Sequence, residues 1–214
     1  MNSGLKRHLL VTLGALFLLL VTQQTSRADT ISVDTTSLQG NAAGPFVLGF
    51  VLIDASLSGD GNNTVMLSNF AFGGGSAGAV ATSGGGVTGN LQSGMTFTDS
   101  GPSGFNFITS AFIPGTVLSF NLAMTSNPDL NINPSSGLPG DQFLFVILDS
   151  NGQRIQSTDN NTPDAFAIAT IGSGGLSVQQ FSIPASTSVP EPATALLLGS
   201  GLVLGLRCKR RHSS

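Results

Sequence analysis

The stretch F-L-F-V-I-L-D-S-N-G-Q-R-I-Q, Phe143 to Gln156, sets an apolar run from Phe143 to Leu148 and a second segment, Arg154-Ile155-Gln156, on either side of Asn151-Gly152. Asn-Gly is the strongest short-range hairpin signal, because both central residues of a type I′ turn need positive φ and these two tolerate it best. The stretch therefore predicts a β-hairpin with a type I′ turn.

Working outward, the same period of two recurs. Thr116 to Thr125 puts Leu118, Phe120, Leu122 and Met124 on one face and Ser119, Asn121 and Ala123 on the other, the pattern of a half-buried strand. Phe46 to Ala55 is apolar on both faces, as in a central strand covered on both sides. Thr64 to Phe72 follows it after Gly59-Asp60-Gly61-Asn62-Asn63, so these two are expected to pair as a hairpin. Further strands are expected at Ile31 to Val33, Met95 to Thr98, Phe105 to Phe112, Ala165 to Ile171 and Leu176 to Ile183. Short strands punctuated by turns at this spacing predict an all-β antiparallel sandwich, jelly-roll-like.

Two Gly-rich stretches, Gly73-Gly74-Gly75-Ser76 and Gly84-Gly85-Gly86, suggest phosphate cradles at first sight. Neither carries a Lys followed by Ser or Thr, so the P-loop reading fails, and both are read as flexible loops around Ala77 to Thr82.

Between Asp29 and Ser188 there are ten Asp, no Glu, no Lys and one Arg (Arg154), a net charge of −9. Such a surface repels nucleic acid, so no nucleic-acid partner is expected. The only histidines are His8 and His212 and the only cysteine is Cys208, all near the ends of the chain. Ser-His-Asp and Cys-His triads, lysine chemistry and a Zn²⁺ site are thereby excluded from the middle of the chain. The expectation is a protein that is not an enzyme. Asp54, Asp60, Asp99, Asp141, Asp149, Asp159 and Asp164 fall in turn-like contexts. They are read there as backbone-capping carboxylates that water reaches, with pKa values well below 7.

No cofactor is required by this composition. Oxygen-only ligands suit a hard cation, however, and two clusters offer them to Ca²⁺, Asp60 with Asn62, and Asp159 with Asn161 and Asp164.

Both ends read as processing segments. Lys6, Arg7 and His8 precede an apolar run from Leu9 to Val21, and Ser26-Arg27-Ala28 gives a small-x-small pattern. Residues 1–28 are thus expected to be a signal peptide read by the Sec translocase, forming a signal helix and cut after Ala28. At the other end, Val189-Pro190-Glu191-Pro192 is followed by an apolar or small segment, Ala193 to Leu206, and a basic cluster of Arg207, Lys209, Arg210 and Arg211. The basic cluster places the end of the chain on the cytoplasmic side of a membrane, with everything before Ala193 outside. Residues 29–183 form the expected exported β domain, 184–188 a linker and 189–214 the terminal signal.

That terminal order resembles the PEP-CTERM sorting signal, which is read by the membrane transpeptidase exosortase in Gram-negative bacteria that make extracellular polysaccharide. The segment I-S-V-D-T-T-S-L, Ile31 to Leu38, together with the strands from Phe46, Thr64 and Phe143, resembles a group of short exported PEP-CTERM proteins that begin with a V-D-T-S-x-L-like strand. The resemblance implies a C-terminal transmembrane helix before processing and exosortase as a partner. It also implies residence first on the exterior of the inner membrane, then in the envelope or outside the cell. The role expected from it is that of a non-enzymatic envelope or extracellular-matrix protein associated with exopolysaccharide or biofilm. The alternative is a polysaccharide-binding module assisted by Ca²⁺.

Overall fold

The computed structural model describes residues 26–102, 104–127, 131–159, 164–172 and 174–184. The signal helix and the terminal transmembrane helix expected from the sequence lie outside them. Eleven strands occur among the described residues: β1 (Ser26–Asp34), β2 (Phe46–Ile53), β3 (Thr64–Ala71), β4 (Ser76–Gly84), β5 (Gly86–Asn90), β6 (Gly94–Thr98), β7 (Phe105–Ile113), β8 (Val117–Thr125), β9 (Gln142–Leu148), β10 (Ala167–Gly172) and β11 (Gly175–Gln180). Two short 3₁₀ turns, Thr36–Leu38 and Pro134–Ser136, are the helical elements described. The chain divides into two units, Met1–Ile183 and Pro184–Ser214, and all of these elements lie in the first.

The strands make two antiparallel sheets. One runs β1-β8-β3-β6-β5 and the other β11-β10-β9-β2-β7-β4. Alternation along β8 buries Leu118, Phe120, Leu122 and Met124, as its sequence predicts. The matching faces of β2 and β9 bury Phe46, Leu48, Phe50 and Leu52, and Phe143, Phe145 and Ile147. These side chains from both sheets form one core. Its centre is aromatic: Phe50 meets Phe120 edge-on at 5.6 Å, Phe145 meets Phe120 at 5.2 Å, and Phe97 meets Phe143 at 5.8 Å, each pair crossing between the sheets. A smaller cluster of Val146, Ala165 and Ile168, with Phe181 against it, covers the outer face beside β2. Gly49 is needed under it, since a Cβ there would stand 2.9 Å from Val146 Cγ2.

Three expectations are corrected. β2 and β3 do not form a hairpin, because both edges of β2 are taken by β7 and β9 while β3 lies in the other sheet between β8 and β6. The stretch from Asp54 to Asn63 is instead a crossing between sheets. The Gly-rich region is not loop around a short segment: Ser76 to Gly84 and Gly86 to Asn90 are strands, one at an edge of each sheet. An edge strand of small residues closes a sheet by backbone bonding and needs little side-chain burial, so it leaves no apolar period to read. Gly85, at φ +72°, turns the chain from one sheet to the other.

The Asn151-Gly152 turn is real but of another type. Gly152 N–H bonds Asp149 O at 3.0 Å, Asp149 N–H bonds Gln153 O at 2.8 Å, and of the two central residues Gly152 alone has positive φ (+73°). This is the turn with one left-handed residue and a bulge, not type I′. The Asp149 carboxylate fixes it by accepting from Asn151 and Gln153 N–H, both at 2.8 Å. Pairing beyond the turn is a single bridge, Leu148 to Arg154. A Cβ on Gly152 would meet nothing within 4 Å. Gly152→Val is therefore expected to cost about 1–3 kcal/mol in denaturant unfolding through backbone strain alone, whereas Gly152→Asn, which tolerates the left-handed region, costs less.

Candidate functional site

The antiparallel register gathers six strand ends at one end of the sheets. Ile53 pairs with both Gln142 and Phe105, which puts Asp54 beside Asp141 on one edge and Gly104 on the other, where Asp54 N–H donates to Gly104 O at 2.8 Å. Thr64 pairs with Thr98, and Val65 with Met124, which brings Asn63, Asp99 and Asn127 together in the other sheet. Polar residues at these ends are what terminates the apolar strands, so each is explained locally. Their convergence is not.

Asn63 is the hub. Its N–H donates to Asp99 Oδ2 at 2.8 Å, and its Oδ1 accepts from Thr125 Oγ1 at 3.1 Å and Asn127 N–H at 3.0 Å. Its Nδ2 faces Asp141 Oδ2 at 2.8 Å, Asn127 O at 2.9 Å and Asn62 Oδ1. Asp141 Oδ1 accepts from Ala55 N–H at 2.8 Å, so Asp141 ties the two sheets together. Asp54 acts apart from this network. Its carboxylate accepts from Ser56 N–H, Ser56 Oγ and Gly59 N–H at 2.7, 2.8 and 2.6 Å and shapes the start of the crossing.

The expectation of solvated turn carboxylates holds for Asp60, which is exposed, but is corrected for four of the seven. Asp54, Asp99 and Asp141 are 0 % exposed and Asp159 is 8 % exposed. Burial pushes the Asp99 carboxyl above its ordinary pKa, against the opposing pull of its hydrogen bonds to the Asp141 side chain and Asn63 N–H, and the charges of Asp60 and Asp54 push the same way as burial. Turn context alone could not reveal this, because an Asp just outside a strand reads as a cap whether or not other strand ends close over it.

Of the residues singled out for Ca²⁺, Asp60 and Asn62 lie at the rim of this cluster, with Asn62 N–H and Nδ2 donating to the Asp60 carboxylate at 3.2 and 3.1 Å. Asp159 and Asp164 meet at Ser157, whose N–H donates to Asp164 Oδ1 at 3.3 Å and whose Oγ accepts from Asp159 N–H at 3.1 Å. Asn161 lies outside the described residues. Among the described residues, no three His, Cys, Asp or Glu side chains stand together as a metal centre by themselves.

A cleft of about 490 Å³ opens elsewhere, lined by Asn69, Phe70, Phe72, Leu91, Gln92 and Ser93 among others. It forms where β3 bulges: the pairing with β8 shifts between Ser68 and Ala71, and Asn69 takes φ +55°. The Phe70 and Phe72 rings lie nearly parallel, 6.4 Å apart.

Ala28, the expected cleavage point, lies within β1 and pairs with Ala123. Val189 to Pro192, the apolar segment Ala193 to Leu206 and Arg207, Lys209, Arg210 and Arg211 lie outside the described residues. Among those described, no helix is long and apolar enough to cross a membrane. Residues 188–211 match the family model of the PEP-CTERM protein-sorting motif. The chain carries a PEP-CTERM sorting signal. A PEP-CTERM signal marks a protein for exosortase and so for the membrane exterior and the cell envelope. No curated protein matches the chain. A solved structure described as "pH-induced modulation of Streptococcus parasanguinis adhesion by Fap1 fimbriae" aligns with 78 % of this chain and 78 % of its own at 12 % identity, with a TM-score of 0.25, too slight a likeness to carry any inference.

Proposed function

We propose that this PEP-CTERM protein is a non-enzymatic component of the cell envelope or extracellular matrix, associated with exopolysaccharide and displayed as a jelly-roll-like β-sandwich. The observation that carries this reading is the sorting motif at residues 188–211, directly after an all-β unit ending at Ile183. The jelly-roll assignment is supported by the way β1, β2, β3 and β4, and then β6, β7 and β8, alternate between the two sheets. The absence of catalysis is supported by the residue types available. The carboxyl pair of Asp99 and Asp141 is wholly buried, out of reach of a substrate. Export through Sec and cleavage after Ala28 complete the proposal.

Ending the chain before Pro190 tests it. Full-length protein is expected in the envelope fraction, and the truncated protein in the periplasm or medium with its β-type circular dichroism intact, because the apolar segment Ala193–Leu206 serves only the membrane. Truncated protein that stays with the envelope, or that aggregates without β structure, would sink the proposal.

The cleft favours a second reading, a polysaccharide-binding module. Two phenyl rings beside Asn69, Gln92 and Ser93 combine an apolar wall with amide and hydroxyl partners, the mixture a ligand pocket needs. Retention of the exported protein on a glycan array would favour this reading over a purely structural role.

A further inference from the structure

The Asp99 carboxyl is wholly buried, and only one of its oxygens finds a donor. Oδ1 accepts no hydrogen bond, and the side chain that hydrogen-bonds this carboxyl is a second carboxyl, Asp141. Two buried carboxyls in that relation either share a proton or bracket a cation. The donors described for them, Asn63 N–H, Asn63 Nδ2 and Ala55 N–H, are neutral amides, which orient a carboxylate without cancelling its charge. Around the same point Asp141 Oδ2, Asn127 O and Asn62 Oδ1 converge on the Asn63 amide, so oxygens of three kinds meet at one place.

We propose that these strand ends form a binding site for one divalent cation of the calcium class, with the Asp99 and Asp141 carboxylates as charged ligands and the Asn62 side-chain and Asn127 main-chain oxygens completing the shell. The donor set is oxygen only, and mixes carboxylate, amide and main-chain carbonyl, which suits a large hard cation with irregular coordination better than octahedral Mg²⁺. Two carboxylates supply a charge of −2 to match it. Asp60 at the rim adds negative potential from a position exposed to solvent. A cation here would join the crossing after β2, the end of β6 and the start of β9, locking both sheets at one end. The site differs from the Asp159–Asp164 cluster, where Asp164 Oδ1 accepts from Ser157 N–H and Asp159 N–H donates to Ser157 Oγ. The proposal relies on export for its calcium supply and on nothing else in the functional reading.

Equilibrium dialysis against radioactive calcium, using full-length protein purified in detergent and stripped with EDTA, tests it without reference to location. The expected result is one Ca²⁺ per chain, with a Kd of about 10⁻⁴–10⁻³ M as in other extracellular sites, and little competition from equimolar Mg²⁺. Asp99→Asn and Asp141→Asn should each weaken uptake by about tenfold or more, and Asn62→Ala, on a half-exposed loop where folding is safe, by a smaller factor. Asp149→Asn, in the far hairpin, should leave it unchanged. Absence of saturable uptake would overturn the proposal, as would uptake that survives in folded Asp99→Asn and Asp141→Asn proteins. A wild type stabilised by mild acid but indifferent to calcium would overturn it too, by showing a shared proton in place of the ion.

Discussion

Phe50→Ala is expected to lower the stability of the domain by about 3–5 kcal/mol, the range for emptying a buried aromatic position. Phe50 sits on β2, the strand with a partner on both edges in the six-stranded sheet, and is wholly buried. Its ring stacks on Phe145 at 5.1 Å and lies nearly parallel to Phe143 at 6.4 Å in its own sheet. It also meets Phe120 and Phe70 of the opposite sheet edge-on at 5.6 and 6.0 Å. Truncation therefore removes atoms that both sheets touch, and neither sheet can relax into the gap without moving against the other. At roughly 2–4 °C per kcal/mol for a domain of this size, the unfolding midpoint should drop by about 6–20 °C. Phe50→Leu, which keeps much of the volume, should cost far less. A Phe50→Ala loss below about 1 kcal/mol, no more than an average substitution, would mean that the sheets do not share this core.

The strands that build that core were legible because their side chains alternate. Leu118, Phe120, Leu122 and Met124 announce both the strand and its buried face, and the apolar run from Phe143 announces the strand β9 without choosing a face. Pairing was not legible. Adjacent strands joined by a turn-rich stretch look like a hairpin, yet β2 finds its partners across the chain, at β7 and β9, and that choice depends on how all the apolar faces close together. The Gly-rich strands β4 and β5 were missed for the opposite reason: Ser, Ala and Gly carry no period, and their membership of a sheet is decided by a neighbour's free edge. The acidic end combines both problems. Asp54, Asp99 and Asp141 are far apart in sequence, each next to a strand terminus, and each alone is an ordinary cap. The register that places Thr64 opposite Thr98 and Ile53 opposite Gln142 is what joins Asp99 and Asp141 through Asn63 and buries Asp54 beside them. The sorting motif, by contrast, was legible, since a motif that acts in linear order needs no tertiary structure to be read.

Asn63→Ala should cost about 2–4 kcal/mol, because a buried polar group stripped of its partner loses about 1–3 kcal/mol and several lose theirs at once. Asn63 is 1 % exposed, and its amide serves Asp141 Oδ2, Asn127 O, Asn127 N–H and Thr125 Oγ1. The backbone bond from Asn63 N–H to Asp99 survives the substitution, so the loss belongs to the side chain alone. Asn63→Asp should be at least as damaging: it replaces the donor facing Asp141 Oδ2 by an acceptor and adds a third negative charge to a buried pair. Denaturant unfolding in EDTA and again in excess calcium separates this hydrogen-bonding role from any ion. The cost of Asn63→Ala is expected under both conditions, since the orphaned groups are the protein's own. In calcium the Asp variant should recover part of its loss, because a carboxylate at that position gains an attractive partner when a cation is present. A loss under about 0.5 kcal/mol for Asn63→Ala would show that water replaces the amide freely, and that the strand ends are open rather than closed over their carboxylates.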